Sequence, residues 1–128
     1  MVLMFLNGDG MRGGRLNAQL AGAPLLRTAR TAPKYRYYSV GDRFPAMIAT
    51  ATDGRAITGE VYDVPMEVLR DNLIPSEPAE LELGLIELED GTACLATVLR
   101  ANLLGSPDLI DISDIGDWRA YRGTSSAP

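Results

Sequence analysis

The sequence of 128 residues contains no histidine and only one cysteine, Cys94. The missing histidine excludes Ser-His-Asp and Cys-His triads, and it argues against a zinc site. A single cysteine excludes an intrachain disulfide, which fits a reducing compartment, so we expect a cytoplasmic protein. Cys94 lies in the apolar run TACLATVL, which predicts a small core residue rather than a nucleophile.

Long hydrophobic runs are also missing. No stretch is long enough to span a bilayer, so we expect no membrane partner, and the opening MVLMFL predicts a strand rather than a signal peptide. The net charge of −5 argues against nucleic acid as a partner. The charge is uneven, since residues 1–43 hold seven basic and two acidic residues and the remainder five and fifteen. This asymmetry indicates either two differently solvated faces or a basic first third that lines a site for a small anion.

The length suits one compact domain, which we place at residues 1–122, with a disordered tail at 123–128. Many short strand-like segments separated by turns, with short helices between them, predict an α+β fold. The expected form is a small mixed or antiparallel β-barrel with flanking short helices. The Asp53-Gly54 pair predicts a hairpin between FPAMIAT and AITGEVYDV. In the acidic final segment, three residues are expected to anchor the chain to the core: Ile110, Ile112 and Ile115.

A glycine-rich loop, FLNGDGMRGG, occupies residues 5–14. It departs from a Walker A loop because Gly14 and Arg15 replace the lysine and hydroxyl residue. The dinucleotide spacing G-x-G-x-x-G is formally met, but a basic, strand-like segment follows instead of a βαβ unit. Glycines free backbone N–H groups to converge on an anion, and Arg12 can add a charge-assisted contact to a carboxylate. The alternative is a tight turn that holds no ligand, and we predict neither a cofactor nor a metal.

Several segments together resemble a known superfamily. FLNGDGMRGGRLNAQL, RFPAMIATATDGRAITGEVYDVP, LIPSE and ELEDGTACLATVL resemble segments of the γ-glutamylcyclotransferase-like superfamily. TAPKYRYYSV and DISDIGDWRAYR are similar to motifs of the allophanate hydrolase C-terminal domain, which belongs to the same superfamily. The resemblance reaches to about Arg122 and implies a stand-alone version of that domain, with the superfamily's small β-barrel.

The resemblance also implies a chemistry. In the superfamily, amides of the first loop hold the amino-acid end of the substrate, and a glutamate acts as general acid/base. The γ-glutamyl amine closes on its own side-chain carbonyl and releases 5-oxoproline, so no serine or cysteine nucleophile is required. By position, Glu77 is the catalytic candidate. The candidate substrate-binding residues are Asn7, Gly8, Asp9, Gly10, Met11, Arg12 and, from the KYRYY segment, Arg36.

The sequence departs from the family pattern at three positions. Asn7 replaces a tyrosine, Asp9 replaces a serine or threonine, and Ile74 replaces an acidic residue. Whether the chain is an enzyme therefore stays open. The alternative is an accessory domain that binds a small carboxylate or supports a partner amidohydrolase, with Glu77 a solvated loop residue. In either case we expect a small ligand with a carboxylate or amide, and a homodimer or a partner amidohydrolase as the assembly. The position of Glu77 relative to the glycine loop discriminates between the two.

Overall fold

The structure, a computed structural model, describes residues 2–125. In this range eight strands form two sheets. The strands are β1 (Val2–Leu6), β2 (Leu25–Arg30), β3 (Tyr35–Val40), β4 (Phe44–Ala49), β5 (Thr58–Val64), β6 (Leu81–Glu87), β7 (Ala93–Leu99) and β8 (Leu109–Asp111). The helices are α1 (Met66–Val68), α2 (Ile74–Ser76) and α3 (Trp118–Ser125), with a π-helical turn at Leu69–Leu73 and 3-10 turns at Asn17–Leu20 and Ala101–Leu103.

The larger sheet has the strand order β2-β5-β1-β7-β6, and the smaller one has the order β4-β3-β8. Strand pairs are antiparallel except β1 and β7, which run parallel. The main core lies between the sheets, where Phe5 and Val61 of the larger sheet share a cluster with Tyr37 and Met47 of the smaller one. The predicted α+β class is confirmed, and the barrel-like body consists of these two sheets.

The alternation of β3 decides which of its side chains enter the core. Tyr35, Tyr37 and Ser39 are buried, whereas Arg36 and Tyr38 on the other face are only partly covered. This matches the predicted two-faced strand, because successive side chains of a strand point to opposite sides. Cys94 is also buried, as predicted, and burial raises the pKa of its thiol to about 11.

The hairpin predicted at Asp53-Gly54 is wrong. β4 pairs with β3 in the smaller sheet, whereas β5 pairs with β1 and β2 in the larger one. The turn instead carries the chain from one sheet to the other and packs against the backbone near Lys34. A Cβ added to Gly54 would lie only 2.4 Å from the Pro33 carbonyl oxygen. The Asp-Gly signal thus marked a turn correctly but not the pairing of its flanking strands.

The C-terminal segment is anchored differently from expectation. Ile112 is buried, but Ile110 and Ile115 are each 43% exposed, so two of the three predicted anchors are wrong. Trp118 enters the main core instead. Because α3 runs to Ser125, it overlaps the tail predicted at 123–128, and residues 126–128 lie outside the described residues. No helix within residues 2–125 combines the length and apolar character needed to cross a membrane.

Candidate functional site

The glycine loop leaves β1 and folds back on itself. The N–H of Leu16 donates to the carbonyl of Asp9 at 2.9 Å, and that of Met11 donates to Gly8 at 3.1 Å. Gly14 is required by this compact form, since an added Cβ would lie 2.1 Å from the Asp9 carbonyl oxygen. Packing, rather than ligand contact, therefore explains part of the glycine content of the loop.

The first turn of the loop keeps its donors available. In the described part of the chain, the backbone N–H groups of Gly8, Asp9 and Gly10 donate no hydrogen bond to protein. Adjacent backbone N–H groups of this kind form anion-binding concavities. The loop therefore has the unused backbone donors that an amide cradle requires, and the cradle itself stays a prediction.

A polar network holds the loop from below. Glu60 on β5 is only 2% exposed, and its Oε1 accepts the N–H of Arg12 at 2.7 Å and the hydroxyl of Tyr62 at 2.9 Å. The Asn17 amide group donates to Tyr62 at 3.1 Å and to the Gly10 carbonyl at 2.9 Å. Arg119 of α3 donates to the Arg12 carbonyl and lies 3.7 Å from Glu60 Oε2. Both polar groups of the Arg12 peptide are therefore fixed by other elements.

Glu77 reaches the loop from the opposite side. The helical segment 66–76 packs Leu69 and Leu73 into a second core cluster with Met4 and Leu6 of β1. It ends at Glu77, whose backbone turns to an extended conformation with ψ 151°. Because the apolar face of this segment is buried, the position of the chain at Glu77 is fixed relative to β1.

A cleft separates Glu77 from the loop. Gly8, Asp9 and Gly10 form one wall, and Glu77 and Pro78 lie across from them. Apolar side chains close the cleft, namely Leu6, Leu16, Phe44, Pro45 and Leu81. Its cavity volume of about 30 Å³ leaves room for little more than one water molecule or one small polar group.

The cleft changes the acidity of Glu77. Burial, followed by the nearby Asp9 charge, raises the pKa of this carboxyl to about 7, and Arg15 partly offsets the rise. Arg15 is the partner of Asp9 at 3.6 Å and is itself largely exposed. A carboxyl that titrates near neutral pH can both donate and accept a proton there, which a solvated glutamate does poorly.

The other predicted site residues divide between the cleft and the core. Asn7 lines the cleft, but its side-chain oxygen accepts the Tyr37 hydroxyl at 2.9 Å, so its amide group serves the core. Met11 lies outside the cleft lining and packs in the second core cluster. Arg12 also lies outside the cleft, on the far side of the loop.

Arg36 is not part of the cleft either. Its guanidinium donates to Asp111 at 2.6 Å and to the Asp53 carbonyl at 2.7 Å, on the outer face of the smaller sheet. Because Tyr35 and Tyr37 take the inner face of β3, the alternation of the strand points Arg36 outward.

Sequence reasoning missed the residues that support the loop. The sequence around Glu60 did contain an indication, because a glutamate within a predicted strand needs hydrogen-bond partners if it is buried. Asn17 and Arg119 carried no comparable signal, because each is an ordinary polar residue of a short helix. Their contacts join segments 7 and 107 positions apart in sequence.

Comparison with known proteins identifies the family. The model of the allophanate hydrolase C-terminal domain matches residues 2–123. The chain belongs to this family. A search of curated proteins finds no match.

Solved structures extend the comparison. A uropathogenic Escherichia coli-specific protein is 35% identical, with a TM-score of 0.88 and 95% of each chain covered. Kluyveromyces lactis allophanate hydrolase is 26% identical, with a TM-score of 0.85, and 94% of this chain spans 21% of that one. An AIG2-like protein from Mus musculus, at 20% identity and a TM-score of 0.63 over 84% of this chain and 85% of that one, shares the fold. The family domain thus has the γ-glutamylcyclotransferase-like fold and also occurs within a longer chain.

Proposed function

We propose that this chain is an enzyme of γ-glutamylcyclotransferase-like chemistry, acting on a small amide derived from an amino acid. The observation that carries the proposal is the position of Glu77, which faces the glycine loop across the cleft. Had the side chain pointed into solvent, the accessory alternative would be favoured.

The cleft supplies the two elements that intramolecular amide exchange needs, and because its volume is only about 30 Å³, only the reacting group enters it while the rest of the substrate stays outside. Glu77, with its pKa near 7, accepts a proton from the substrate's own amine as that nitrogen bonds to the amide carbonyl carbon. The N–H groups of Gly8, Asp9 and Gly10 face the charge that develops on the carbonyl oxygen. Glu77 then returns the proton to the departing nitrogen as the original C–N bond breaks. The nucleophile belongs to the substrate, so the absence of histidine is no obstacle.

The chemistry of Asp9 narrows the substrate. Its carboxylate lines the cleft beside Glu77 and is only partly balanced by Arg15 at 3.6 Å. A second negative charge inside the cleft would be repelled, whereas a substrate amine or amide N–H would be favoured. We therefore place the amine-bearing or ureido end of the substrate at this wall.

The test is a turnover screen with γ-glutamyl dipeptides and ureido compounds on wild type and Glu77→Gln. Loss of the acid/base group should lower kcat by about 10²- to 10⁴-fold. Glu80→Gln is the matched control, because Glu80 lies three residues further on and pairs with Arg43 at 3.2 Å outside the cleft. Turnover that Glu77→Gln leaves unchanged would refute the mechanism.

The second candidate is an accessory domain that binds a small carboxylate or supports a partner amidohydrolase. The match to part of Kluyveromyces lactis allophanate hydrolase favours it, because there the domain accompanies a larger enzyme. Absence of turnover on every amide, together with co-purification with an amidohydrolase, would support this function instead. Size-exclusion chromatography would show whether the chain alone forms a homodimer.

A further inference from the structure

A second concave surface lies on the far side of the glycine loop, between it and α3. This groove has a volume of about 490 Å³, within the range of small-molecule sites. Arg12 enters it from the loop, and Arg119 and Arg122 enter it from one face of α3. Gly13 and Gly14 complete the loop wall without side chains, so a ligand can approach the backbone closely.

The three guanidinium groups are held to different degrees. Arg119 is fixed by the Arg12 carbonyl and by Glu60. Arg122 donates to the Asp42 carbonyl at 2.7 Å and lies 5.5 Å from the centre of the Trp118 ring. The Arg12 guanidinium makes no hydrogen bond or ion pair within the described residues, although the backbone N–H and carbonyl of Arg12 are both hydrogen-bonded.

The residues that line the groove include three arginines and one carboxylate, that of Asp9, in a protein of net charge −5. Three carboxylates approach the groove, and none forms an ion pair with Arg12. Glu60 is buried against Arg119, Asp9 lines the groove and pairs with Arg15, and Asp42 lies near Arg122. Guanidinium groups match the geometry of carboxylate and phosphate, because two N–H donors can contact two oxygens of one group.

We propose that this groove binds the oxyanion group, a carboxylate or a phosphate, of a small metabolite. Arg12 and Arg122 contact the oxyanion, and Arg119 positions the loop that carries Arg12. The groove shares Gly8 and Asp9 with the Glu77 cleft, but none of its three arginines lines that cleft, so anion binding can be measured without turnover.

The protein provides its own reporter for this site. Trp118 lines the groove at the edge of the main core and is the single tryptophan of the chain, so one indole N–H resonance can be followed at the groove. Titration of the full chain with glutarate and, separately, with inorganic phosphate should shift this resonance to saturation. Saturation with glutarate identifies a carboxylate site, saturation with phosphate identifies a phosphate site, and saturation with both identifies a general oxyanion site.

Two matched variants test the location. Arg12→Gln removes the guanidinium but keeps the backbone contacts of residue 12, and it should weaken binding about 5- to 10-fold. Arg15→Gln makes the same charge change in the same loop but on the cleft side, and it should alter affinity less than about twofold. No saturable shift with either anion, or an equal loss in both variants, would overturn the proposal. Unchanged circular dichroism and melting temperature of Arg12→Gln confirm that the comparison is between folded proteins.

Discussion

The two sides of the glycine loop differ in charge and shape although both belong to one short segment, residues 5–14. On the cleft side, Asp9 and Glu77 face each other between apolar walls in a cavity of about 30 Å³. On the groove side, Arg12, Arg119 and Arg122 surround an open space of about 490 Å³. The confined side raises the pKa of a carboxyl group to about 7, whereas the open side keeps its cations hydrated. Under the two proposals, one loop contributes to a site for proton transfer on one side and to a site for anion binding on the other.

Glu60 supports the loop and contacts Arg12 and Arg119, so removing it should have the largest effect. Glu60→Ala deletes the acceptor for the Arg12 N–H and the Tyr62 hydroxyl and leaves Arg119 without its buried ion-pair partner. We expect a loss of about 3 kcal/mol in the free energy of unfolding, measured by chemical denaturation. Glu60→Gln should lose less, because its amide oxygen still accepts. A loss no greater than that of the exposed control Glu89→Ala would contradict the assigned role of Glu60.

The cleft side should be distinguishable by its pH dependence. The pKa of Glu77 is raised in the folded state from 4.5 to about 7, so the fold favours the protonated form. The contribution of the Glu77 carboxyl to the free energy of unfolding is therefore fully present below pH 4.5 and is lost as pH rises through 7. Glutamine does not ionise, so the free energy of unfolding of Glu77→Gln does not fall over this pH range. At pH 8 the variant should be more stable than wild type by about 1–3 kcal/mol.

Denaturation curves of wild type and Glu77→Gln at pH 4 and pH 8 measure this effect. The difference in free energy of unfolding between the two proteins should narrow towards pH 4, where the wild-type carboxyl is protonated in both the folded and the unfolded state. A constant difference between the two pH values would show that Glu77 is not buried in the way the cleft requires.

The smallest effect should come from the charges beside Glu77. Asp9→Asn removes a like charge and should lower the pKa of Glu77, whereas Arg15→Gln removes an opposite charge and should raise it. Carboxyl carbon resonances followed by NMR across pH measure both shifts. Shifts of the same sign in the two variants would indicate a rearranged loop rather than a direct electrostatic effect.

Local patterns predicted most of the fold elements but not all of their partners. The alternation in KYRYYSV correctly separated Tyr35 and Tyr37 from Arg36, because a strand has a period of two. The turn at Asp53-Gly54 was found, yet its flanking strands joined different sheets. Turn preference depends on backbone angles of a few residues, whereas pairing depends on which distant surfaces can be buried.

The candidate site divides in the same way. Gly8, Asp9, Gly10 and Glu77 were predicted from sequence and share the cleft, while Met11 was drawn into the core by its apolar side chain. Glu60 and Arg119 were missed, because their contacts with the loop span 48 and 107 positions.

The sequence by itself indicated the family, the α+β class and the absence of histidine chemistry. The family followed from the resemblance of its motifs, the class from local conformational preferences and the last from composition. Only the tertiary structure decided that Glu77 faces this loop and that Arg12 faces away from it. The physical reason is that long-range packing of segment 66–76 and α3 sets the environment of each charged group, and the environment sets its pKa and its partners.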